Sequence, residues 1–465
     1  MSNELPSTCR NCISLETIFL PSRAAAVSAR FRYMLMITIE QLYEIYLQHP
    51  SVQTDTRLLK PGDIFFALKG PNFNGNAFAP KALELGAAYA VIDEKPSAKD
   101  DRLLLVGDVL TALQDLALHH RKQFDIPFIA ITGSNGKTTT KELVHAALAA
   151  EYTTYTTSGN LNNHIGVPLT LLSVRRDAEF AVIEMGANHQ GEIAGYCRYA
   201  LPTHGIITNI GRAHLEGFGG PEGVKKGKGE LYDHLRDNNG AAFVLRDSED
   251  LRQMSRGIPH VITYGTHDAD YTGRVAPGES FLNIEITHGA TTGIIHTQLV
   301  GDYNLPNILV AVAVAKHFGV PDAKIRKAIE HYTPSNSRSQ LIEKDGNHII
   351  LDAYNANPSS MRAAIENFAK LPGATFDQKI LILGAMAELG PESLHEHQGI
   401  IDLIAQYPWK QVILVGGDFL KAKHPYKTFP NSKEAAQWFK TQGIKDSWLL
   451  IKGSRSSKME DVLAG

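Results

Sequence analysis

The chain has 465 residues, of which 43% are hydrophobic and 20% are charged, with 46 Lys and Arg against 49 Asp and Glu. This length exceeds what one hydrophobic core serves and predicts roughly three domains, and the ordinary composition excludes a disordered chain. The net charge of −3 excludes a general electrostatic attraction to nucleic acid or to an acidic membrane, so we expect small ligands held by local features.

Cysteines and apolar runs indicate the compartment. The chain has 3 cysteines, Cys9, Cys12 and Cys197, too few for a disulfide framework, and the first two lack the second pair that a zinc site needs. No apolar run approaches the ~18 residues of a membrane span, and the longest, 308–315, is typical of a buried helix. We therefore expect a cytoplasmic protein in a reducing setting, without a membrane span.

The first domain is predicted over residues 36–124. Residues 1–35 are expected to be a disordered extension or an upstream start-site artefact, because a regular pattern begins only at Met36. The domain alternates helices and strands, expected at 39–47, 63–68, 79–85 and 88–92. This pattern predicts a small α/β domain. A loop carrying Asn72, Asn74 and Asn76 can hydrogen-bond a nucleotide or a sugar, and a plain surface turn is an equally good interpretation.

Residues 127–150 predict a buried strand, a glycine turn and a helix in direct succession. The apolar run 128–132 predicts the strand, Gly133 and Gly136 allow turn conformations, and Lys137 begins a run of good helix formers. The free N–H groups and positive dipole of a helix N-terminus favour an anion in such a turn. The segment therefore predicts a loop that binds the phosphates of a nucleotide.

This loop departs from the general phosphate-loop motif, whose first glycine would stand at Ile131; Gly133 replaces it. At the exposed turn expected here, Lys137 would reach the β- and γ-phosphates, and the Thr138 hydroxyl would ligate Mg²⁺. A helix start that happens to contain Gly-Lys-Thr is the remaining alternative.

Polar clusters follow further apolar stretches of the central domain, predicted over residues 125–334. The Asn- and Gly-rich segment 157–168 suits a loop around a ligand, and an ordinary turn fits as well. Glu184 follows a strand expected at 180–183, at the end where ligands bind in open α/β sheets. A carboxylate beside a phosphate loop needs a cation between them, so Glu184 is a candidate Mg²⁺ ligand; a capping or solvated role is the alternative.

A third cluster contains Asn209, His214 and Lys228, after a strand expected at 205–210. A lone histidine is more often structural than a ligand, and a helical lysine is more often solvated, so both alternatives stay open. The neighbours of this lysine are expected to be ordinary surface residues, namely Lys225, Lys226 and Glu230.

A fourth cluster contains Asn304 and Asn307, one helical turn apart at the start of an apolar helix. Both amides can then face one ligand edge such as adenine. Between the third and fourth clusters, residues 271–299 alternate as a β-hairpin and carry no obvious chemistry.

The last domain is predicted over residues 335–465, after a proline- and serine-rich break. Its strands and first helix are expected at 349–351, 359–371, 380–383, 412–415 and 448–451. This alternation predicts a Rossmann-like domain. Polar clusters again follow strand ends, beginning at Asp352, Gly384 and Lys452. Lys452 and Arg455, around a glycine turn, form either a basic C-terminal turn or part of a site that faces the cleft.

Several of these segments together resemble the Mur ligases, ATP-dependent enzymes that extend the peptide of the bacterial cell-wall precursor. The likeness rests on TSGNLNNHIGVPLTLL, AHLEGFGG, DAYNANPSSM, MAELG and KGSRSSKME, and it covers nearly the whole chain from about Thr38. The family's Asp-Gly-His in the first domain reads Asn74-Gly75-Asn76 here. The resemblance implies an α/β fold with a small N-terminal α/β domain, a central phosphate-loop ATPase domain with a mainly parallel sheet, and a C-terminal Rossmann-like domain.

The resemblance also implies roles for individual residues. The catalytic residues would be Lys137, His214 and Lys228, the last as a carbamate. Nucleotide binding would involve Gly133, Ser134, Asn135, Gly136, Lys137, Thr138, Thr139, Asn304, Asn307, Arg338 and Asp352. Two Mg²⁺ ions would be held by Thr138, Glu184, His214 and Lys228. The other substrates would contact Thr56, Arg57, Asn74, Asn160, Asn162, Asn163, Tyr354, Asn355, Asn357, Lys452 and Arg455.

Within the family, the segments are most similar to members that join D-alanyl-D-alanine to UDP-N-acetylmuramoyl-tripeptide. The implied reaction uses ATP to convert the tripeptide carboxylate to an acyl phosphate, which the dipeptide amine attacks. The implied domain order is a UDP-sugar domain, an ATPase domain and a mobile C-terminal domain, in a monomer. Another Mur or folylpolyglutamate-type ligase and an ATP-hydrolysing switch protein remain alternatives.

Overall fold

The computed structural model describes residues 36–96, 100–278, 280–335 and 337–463. The extension expected at residues 1–35 lies outside the described residues. The described part of the chain forms three α/β domains, each built on its own mostly parallel sheet, and this confirms the predicted fold class. Within these ranges no helix is long and apolar enough to cross a membrane.

The N-terminal domain is a small parallel sheet with helices packed on it. Its strands are β1 (Val52–Gln53), β2 (Ile64–Phe66), β3 (Lys69–Gly70), β4 (Phe73–Asn74), β5 (Tyr89–Ile92) and β6 (Leu103–Leu105), and its helices are α1 (Ile39–Gln48), α2 (Ala79–Glu84) and α3 (Val109–Arg121). The sheet order is β1-β2-β5-β6, and the short antiparallel pair β3-β4 leads into the asparagine loop. Helix α3, which no predicted element covered, packs against α1 and against the middle domain.

The middle domain continues the alternation over a larger sheet. Its first elements are β7 (Phe128–Thr132), α4 (Lys137–Ala149), β8 (Thr154–Thr156), α5 (Gly166–Ser173), β9 (Phe180–Glu184), α6 (Glu192–Ala200), β10 (His204–Ile207), α7 (Leu215–Phe218) and α8 (Pro221–Asp237). They are followed by β11 (Ala241–Leu245), α9 (Glu249–Met254), β12 (His260–Gly265), β13 (Tyr271–Ala276), β14 (Asn283–His288), β15 (Ile294–His296), α10 (Leu305–His317) and α11 (Asp322–His331).

The order of this sheet, β15-β14-β13-β12-β11-β10-β7-β9-β8, places β7 between β10 and β9, all parallel. Every residue of β7 and β9 is buried, as the apolar runs predict for strands covered on both faces. The carboxyl ends of these strands therefore meet at one edge, where Glu184 closes β9 and the phosphate loop follows β7.

Most predicted elements of the middle domain are confirmed. The strand and helix of residues 127–150 coincide with β7 and α4, β13 and β14 pair antiparallel, and α10 is buried along the apolar run. The strand expected at 205–210 is too long, because β10 ends at Ile207. Beyond it, the side chains of Thr208 and Asn209 hydrogen-bond to the phosphate loop instead of continuing the sheet.

The C-terminal domain has the predicted Rossmann-like alternation. Its elements are β16 (Gln340–Lys344), β17 (Asn347–Asp352), α12 (Pro358–Lys370), β18 (Lys379–Gly384), α13 (Ser393–Ile404), β19 (Gln411–Val415), β20 (Lys427–Phe429), α14 (Ser432–Thr441) and β21 (Trp448–Lys452). The order β16-β17-β21-β18-β19-β20 puts the polar ends of β17, β21 and β18 side by side.

The domain boundaries expected at residues 124 and 334 stay predictions. In the structure, the chain passes from one sheet to the next between α3 and β7 and again between α11 and β16.

Candidate active site

A cleft of about 560 Å³ lies between the middle and C-terminal domains. The predicted site residues that line it are Ser134, Asn135, Gly136, Lys137, Thr138, Thr139, Asn160, Asn162, Asn163, Glu184, His214, Asn304, Asn307, Arg338, Asp352, Tyr354, Asn355, Asn357 and Lys452. The predicted residues outside its lining are Gly133, Lys228, Thr56, Arg57, Asn74 and Arg455. The structure thus brings together most of the site residues predicted in the central and C-terminal domains, whereas those predicted in the first domain lie away from the cleft.

The backbone of the phosphate loop requires its glycines. Gly133 has φ +140° and Gly136 has φ +78°, in the region that side chains rarely adopt. A Cβ at Gly133 would lie 2.0 Å from the Thr208 hydroxyl, and one at Gly136 would lie 2.7 Å from Oδ1 of Asn307. The carbonyl oxygen of Asn135 accepts from the Thr208 hydroxyl at 2.6 Å, so the residue that follows β10 holds the loop in place.

Lys137 lies over this loop. Its ammonium donates to the carbonyl oxygens of Gly133 at 2.8 Å and Ser134 at 3.3 Å, and the side chain is half-buried. The exposed turn expected for it is therefore wrong, because the ammonium folds back onto the loop carbonyls. Desolvation lowers the pKa of Lys137, and the charge of Glu184, which opposes this shift, outweighs that of Arg338, which adds to it. The geometry leaves this cation beside the N-terminus of α4, where an anion would bind.

Glu184 provides the acidic side of the cleft. It is 1% exposed, and its Oε1 accepts from the Thr138 hydroxyl at 3.1 Å and from the Asn162 amide at 2.7 Å. Among the described residues, its buried Oε2 has no hydrogen-bond partner. Carboxylate and hydroxyl oxygens are ligands that Mg²⁺ prefers, and an unpartnered buried carboxylate oxygen is costly without a cation. These residues therefore fit a divalent cation.

Asn304 and Asn307 have the predicted one-turn spacing, but their amides contact each other. Nδ2 of Asn307 donates to Oδ1 of Asn304 at 2.9 Å, and Oδ1 of Asn307 accepts from the Thr140 hydroxyl at 3.1 Å. Nδ2 of Asn304 donates to the Val300 carbonyl at 2.9 Å. The pair therefore packs α10 against the phosphate loop, and the adenine contact stays a prediction.

The C-terminal domain forms the opposite wall of the cleft. The guanidinium of Arg338 stacks 3.6 Å from the ring centre of Tyr354, and its buried Nε has no partner within the described ranges. The carboxylate of Asp352 pairs with the buried ammonium of Lys452 at 2.5 Å. The Asn357 amide donates to Oδ1 of Asn135 at 2.7 Å. This wall therefore touches the phosphate loop directly.

His214 joins the two domains. Its backbone is left-handed, with φ +53°, and its ring contacts the carboxylate of Glu388 in the C-terminal domain. Hydrogen bonding to His214 lowers the pKa of the Glu388 carboxyl. Nearby, Arg212 forms an ion pair with Glu396 at 2.7 Å. The histidine predicted as a metal ligand thus has a carboxylate from the opposite wall as its partner in this structure.

Lys228 is fully buried on α8, so the solvated alternative is wrong. Its ammonium donates to the Ala187 carbonyl at 3.0 Å and lies 4.9 Å from the ring centre of Phe218. Desolvation, with a smaller effect of the charge on Lys137, lowers the pKa of Lys228 well below its usual value. Lys228 does not line the cleft, but Ala187, whose carbonyl it contacts, does.

The expectation that all neighbours of Lys228 are ordinary surface residues is also wrong. The carboxylate of Glu230 accepts the backbone N–H groups of Gly191 at 2.5 Å and Ala194 at 2.9 Å, at the N-terminus of α6. Lys225 forms an ion pair with Asp250 at 2.5 Å. Lys226 is the exposed member of the group.

The remaining predicted residues lie elsewhere. Arg57 is exposed and pairs with Asp55 beside Thr56, and Arg455 is exposed and pairs with Glu460. In the loop that departs from the family pattern, the amides are used internally. The Asn74 amide donates to Glu94 at 2.9 Å, and that of Asn76 donates to Asp93 at 2.8 Å, with Lys69 bound to both carboxylates. The substrate contacts expected for Thr56, Arg57, Asn74 and Arg455 stay predictions.

Asn209, which the sequence places in the third polar cluster without a role, also lines the cleft. The other cleft residues that the sequence does not single out are His164, Gly186, Ala187, Asn188, Glu192, Tyr196, Tyr303, Ser339, Ser359, Ser360 and Ala363. Some had a usable signal, since Tyr303 precedes Asn304 and Ser359 lies within the segment DAYNANPSSM. Tyr196 and Glu192 had none, because they come from α6, whose sequence is that of an ordinary amphipathic helix.

Comparison with known families gives matches along most of the chain. The Mur ligase middle domain matches residues 131–315, the glutamate ligase domain of Mur ligases matches 337–455, and the catalytic domain of the Mur ligase family matches 50–121. The UDP-N-acetylmuramoyl-tripeptide--D-alanyl-D-alanine ligase of Bacillus subtilis is 35% identical, covering 90% of this chain and 93% of the relative.

Solved structures of MurF enzymes superpose on most of this chain. MurF from Acinetobacter baumannii superposes with a TM-score of 0.80 at 32% identity, covering 89% of this chain and 92% of that one. MurF ligase from Thermotoga maritima, in complex with ADP, superposes with a TM-score of 0.79 at 28% identity, covering 90% of this chain and 97% of that one.

Proposed function

The chain belongs to the Mur ligase family, and on that premise we propose that it is an ADP-forming ligase that joins D-alanyl-D-alanine to UDP-N-acetylmuramoyl-tripeptide in peptidoglycan synthesis. The observation that carries the proposal is one cleft in which a phosphate loop, a buried carboxylate with an unpartnered oxygen and basic groups of a second domain face each other. This combination of groups fits an ATP-consuming joining reaction, in which anionic phosphates and a carboxylate must be brought together.

ATP would bind with its phosphates in the loop between β7 and α4. The N-terminus of α4 supplies free N–H groups and a positive dipole, and the Lys137 ammonium would move from the carbonyl oxygens of Gly133 and Ser134 to the phosphates. Arg338, whose Nε is buried without a partner, would supply a second cation from the C-terminal domain. Asn304, Asn307 and Asp352 line the same cleft and would contact the nucleotide.

Mg²⁺ would be held by Thr138 and Glu184. The unpartnered Oε2 of Glu184 supports this assignment, because a cation would supply the partner that the buried oxygen lacks. When bound, the ion would offset the repulsion between the γ-phosphate and the attacking carboxylate.

A second Mg²⁺ would use His214 and a carbamate on Lys228. Burial favours the neutral amine at Lys228, which can attack CO₂; the N–C bond forms, one proton leaves, and the product is an anion. A protonated ammonium would repel a metal, whereas the two carbamate oxygens are hard ligands. The burial of Lys228 beneath Ala187, a residue of the cleft lining, supports this position.

The reaction has two steps. A tripeptide carboxylate oxygen attacks the γ-phosphorus of ATP, the bond to the β–γ bridging oxygen breaks, and an acyl phosphate and ADP form. The amine of D-alanyl-D-alanine then attacks the acyl carbon, the amide bond forms, and phosphate and a proton leave. The Asn-rich loop 160–163 and the C-terminal residues Tyr354, Asn355, Asn357 and Lys452 would orient these substrates.

The first and last domains would supply the other substrate contacts. Thr56, Arg57 and Asn74 would contact the UDP-sugar, and Arg455 would contact the dipeptide from the exposed turn after β21. We further propose that the enzyme is cytoplasmic, which the use of ATP and the buried Cys197, free among the described residues, support. A monomer is part of the same proposal.

ADP release, measured with each substrate omitted in turn, tests the proposal. We expect ADP to form at a useful rate only with ATP, Mg²⁺, the UDP-tripeptide and D-alanyl-D-alanine together, and we expect the UDP-pentapeptide by mass spectrometry. The tripeptide is supplied with diaminopimelate or lysine at its third position, and UDP-N-acetylmuramoyl-dipeptide serves as the matched control.

Two outcomes would overturn the proposal. ADP release that needs no acceptor indicates an ATP-hydrolysing switch protein. Joining of an amino acid to the dipeptide or to a folate, with no use of D-alanyl-D-alanine, indicates a related ligase.

A further inference from the structure

Lys141 is a buried lysine that the proposed reaction does not use. It is 3% exposed and lies on α4 one helical turn after Lys137 and Thr138. Its ammonium donates to the carbonyl oxygen of Thr157 at 2.9 Å and lies 3.6 Å from the carboxylate of Glu142. Burying an ammonium is unfavourable unless it is paired and hydrogen-bonded. The Thr157 carbonyl and the Glu142 carboxylate are therefore the groups through which Lys141 can affect its surroundings.

Thr157 extends the contact to the residue proposed to hold Mg²⁺. Its hydroxyl accepts the backbone N–H of Glu184 at 2.9 Å, and its own N–H donates to the Val182 carbonyl at 3.1 Å. Thr157 is completely buried. It therefore lies between α4 and the end of β9, with a hydrogen bond to each.

Two protein ligands of the ion come from these same two elements. Thr138 belongs to α4 and Glu184 ends β9, and the two side-chain oxygens lie 3.1 Å apart. Mg²⁺ demands near-ideal octahedral geometry, so the separation of the two elements has to be fixed by bonds other than those of the ligands themselves. The contact from Lys141 through Thr157 is such a bond.

Glu142 helps to hold the ammonium in place. Its carboxylate accepts the hydroxyl of Tyr332 at 2.6 Å, at the end of α11. The negative charge beside Lys141 is thereby fixed from outside α4. Lys141 is thus held between an anchored carboxylate and the Thr157 carbonyl.

We propose that Lys141 is a positioning residue for the Mg²⁺ site. Its ammonium, through the Thr157 carbonyl, sets the spacing between α4 and β9 at which Thr138 and Glu184 share one ion. The inference rests on the proposed function through the assignment of Glu184 as a metal ligand.

The test compares Lys141→Met with Lys379→Met. Lys379 is a matched control because it is also buried and its ammonium also donates to backbone carbonyls, those of Ala369 and Leu371, in the C-terminal domain away from the cleft. Calorimetry measures the Kd of β,γ-methylene ATP with Mg²⁺ and with EDTA, and thermal unfolding measures stability. The ratio of the two Kd values reports the metal site without turnover.

We expect both variants to lose stability, whereas only Lys141→Met loses about tenfold or more of the Mg²⁺-dependent gain in affinity, the scale seen for residues that orient metal ligands. Lys141→Arg, which keeps a cation, should recover part of that gain. An unchanged ratio in Lys141→Met, with the same loss of stability as Lys379→Met, would show a merely structural role and overturn the inference.

A second pair of variants tests the same inference if Lys141→Met does not fold. Thr157→Val removes the hydroxyl that accepts the Glu184 N–H and should lower the Mg²⁺-dependent gain, whereas Thr157→Ser should retain it; equal values in the two variants overturn the inference. Glu184→Gln separates this inference from the function. If Glu184→Gln leaves the gain intact, the metal assignment fails; if it removes the gain and Lys141→Met does not, only the role of Lys141 fails.

Discussion

The two walls of the cleft are held together in different ways. In the middle domain, polar groups are bonded to neighbours within the same domain, as Glu184 is to Thr138 and Asn162, at the ends of fully buried strands. The C-terminal wall follows a linker in which Ser337 and Ser339 have left-handed backbones, and its contacts with the phosphate loop are few and polar.

This difference indicates a division of labour. Around Glu184 and Thr138 the middle wall is pre-organised for phosphate and metal, because these groups and the phosphate loop are bonded within the middle domain. His214 is the exception, since its partner Glu388 comes from the C-terminal domain. The C-terminal wall depends on the position of a whole domain, so its residues should matter most when the cleft closes on substrates. Changes on the middle wall should therefore remove activity outright, and changes on the C-terminal wall should affect turnover more than binding.

The largest effect is expected for Lys137→Ala on the middle wall. Removing the cation that meets the transferred phosphoryl group should lower kcat/KM by roughly 10³-fold or more. The carbonyls of Gly133 and Ser134 lose a partner, so thermal unfolding should accompany the ADP-release assay. Lys226→Ala, which removes an exposed lysine, is the control. Near-normal turnover of Lys137→Ala would refute the phosphate-site assignment.

Lys228→Ala should lower turnover by about 100-fold, the upper range for residues that support a metal site. The reason is the loss of the proposed carbamate, so removing dissolved CO₂ should also slow the native enzyme, and added bicarbonate should restore it. Lys226→Ala is again the control, since Glu230 caps α6 and is unsuitable. An enzyme indifferent to CO₂, with an unmodified lysine by mass spectrometry under native conditions, contradicts the carbamate.

Arg338→Ala tests the C-terminal wall. A hydrogen bond to a charged group contributes about 1.5–3 kcal/mol, so kcat should fall roughly tenfold or more, with a smaller change in the Kd of ATP measured without other substrates. Arg362→Ala, an exposed arginine of α12 that pairs with Glu366, is the matched control. If the Kd of ATP rises as much as kcat falls, Arg338 already acts in the binary complex and the proposed closure is wrong.

The smallest effect is expected for Glu230, which lies outside the cleft lining and caps α6, the helix that carries the cleft residues Glu192 and Tyr196. Glu230→Ala should lower the free energy of unfolding by about 1 kcal/mol, because the N–H groups of Gly191 and Ala194 lose their acceptor, whereas Lys226→Ala should stay within about 0.5 kcal/mol. Urea unfolding measures both. Equal stabilities would mean that solvent replaces the Glu230 carboxylate at the start of α6.

The sequence predicted the features that depend on local pattern. The pattern of residues 127–150 predicts β7, the loop and α4, because apolar runs, glycines and helix formers determine the local conformation of neighbouring residues. The placement of Glu184 at a strand end followed from the same periodicity. The conformation of the loop was also predictable, since Gly133 and Gly136 are the residues that tolerate its positive φ angles.

Features that depend on tertiary contacts were not predictable. Lys228 lies on a helix whose polar sequence indicates a solvated face, but the side chain is buried, in contact with Phe218 and Ala187 from outside that helix. Glu230 caps a helix that is 36 to 39 residues away in sequence. The bond between Asn357 and Asn135 joins residues separated by 222 positions, and no local pattern indicates such a contact.

The transfer of ¹⁸O from the tripeptide carboxylate to phosphate tests the central claim most directly. If the cleft activates that carboxylate as an acyl phosphate, UDP-tripeptide labelled in both oxygens of the reacting carboxylate should give inorganic phosphate with one ¹⁸O per turnover when D-alanyl-D-alanine is present. Mass spectrometry of the phosphate provides the measurement. Phosphate without label, released at the same rate, would show that water attacks ATP and would contradict the account.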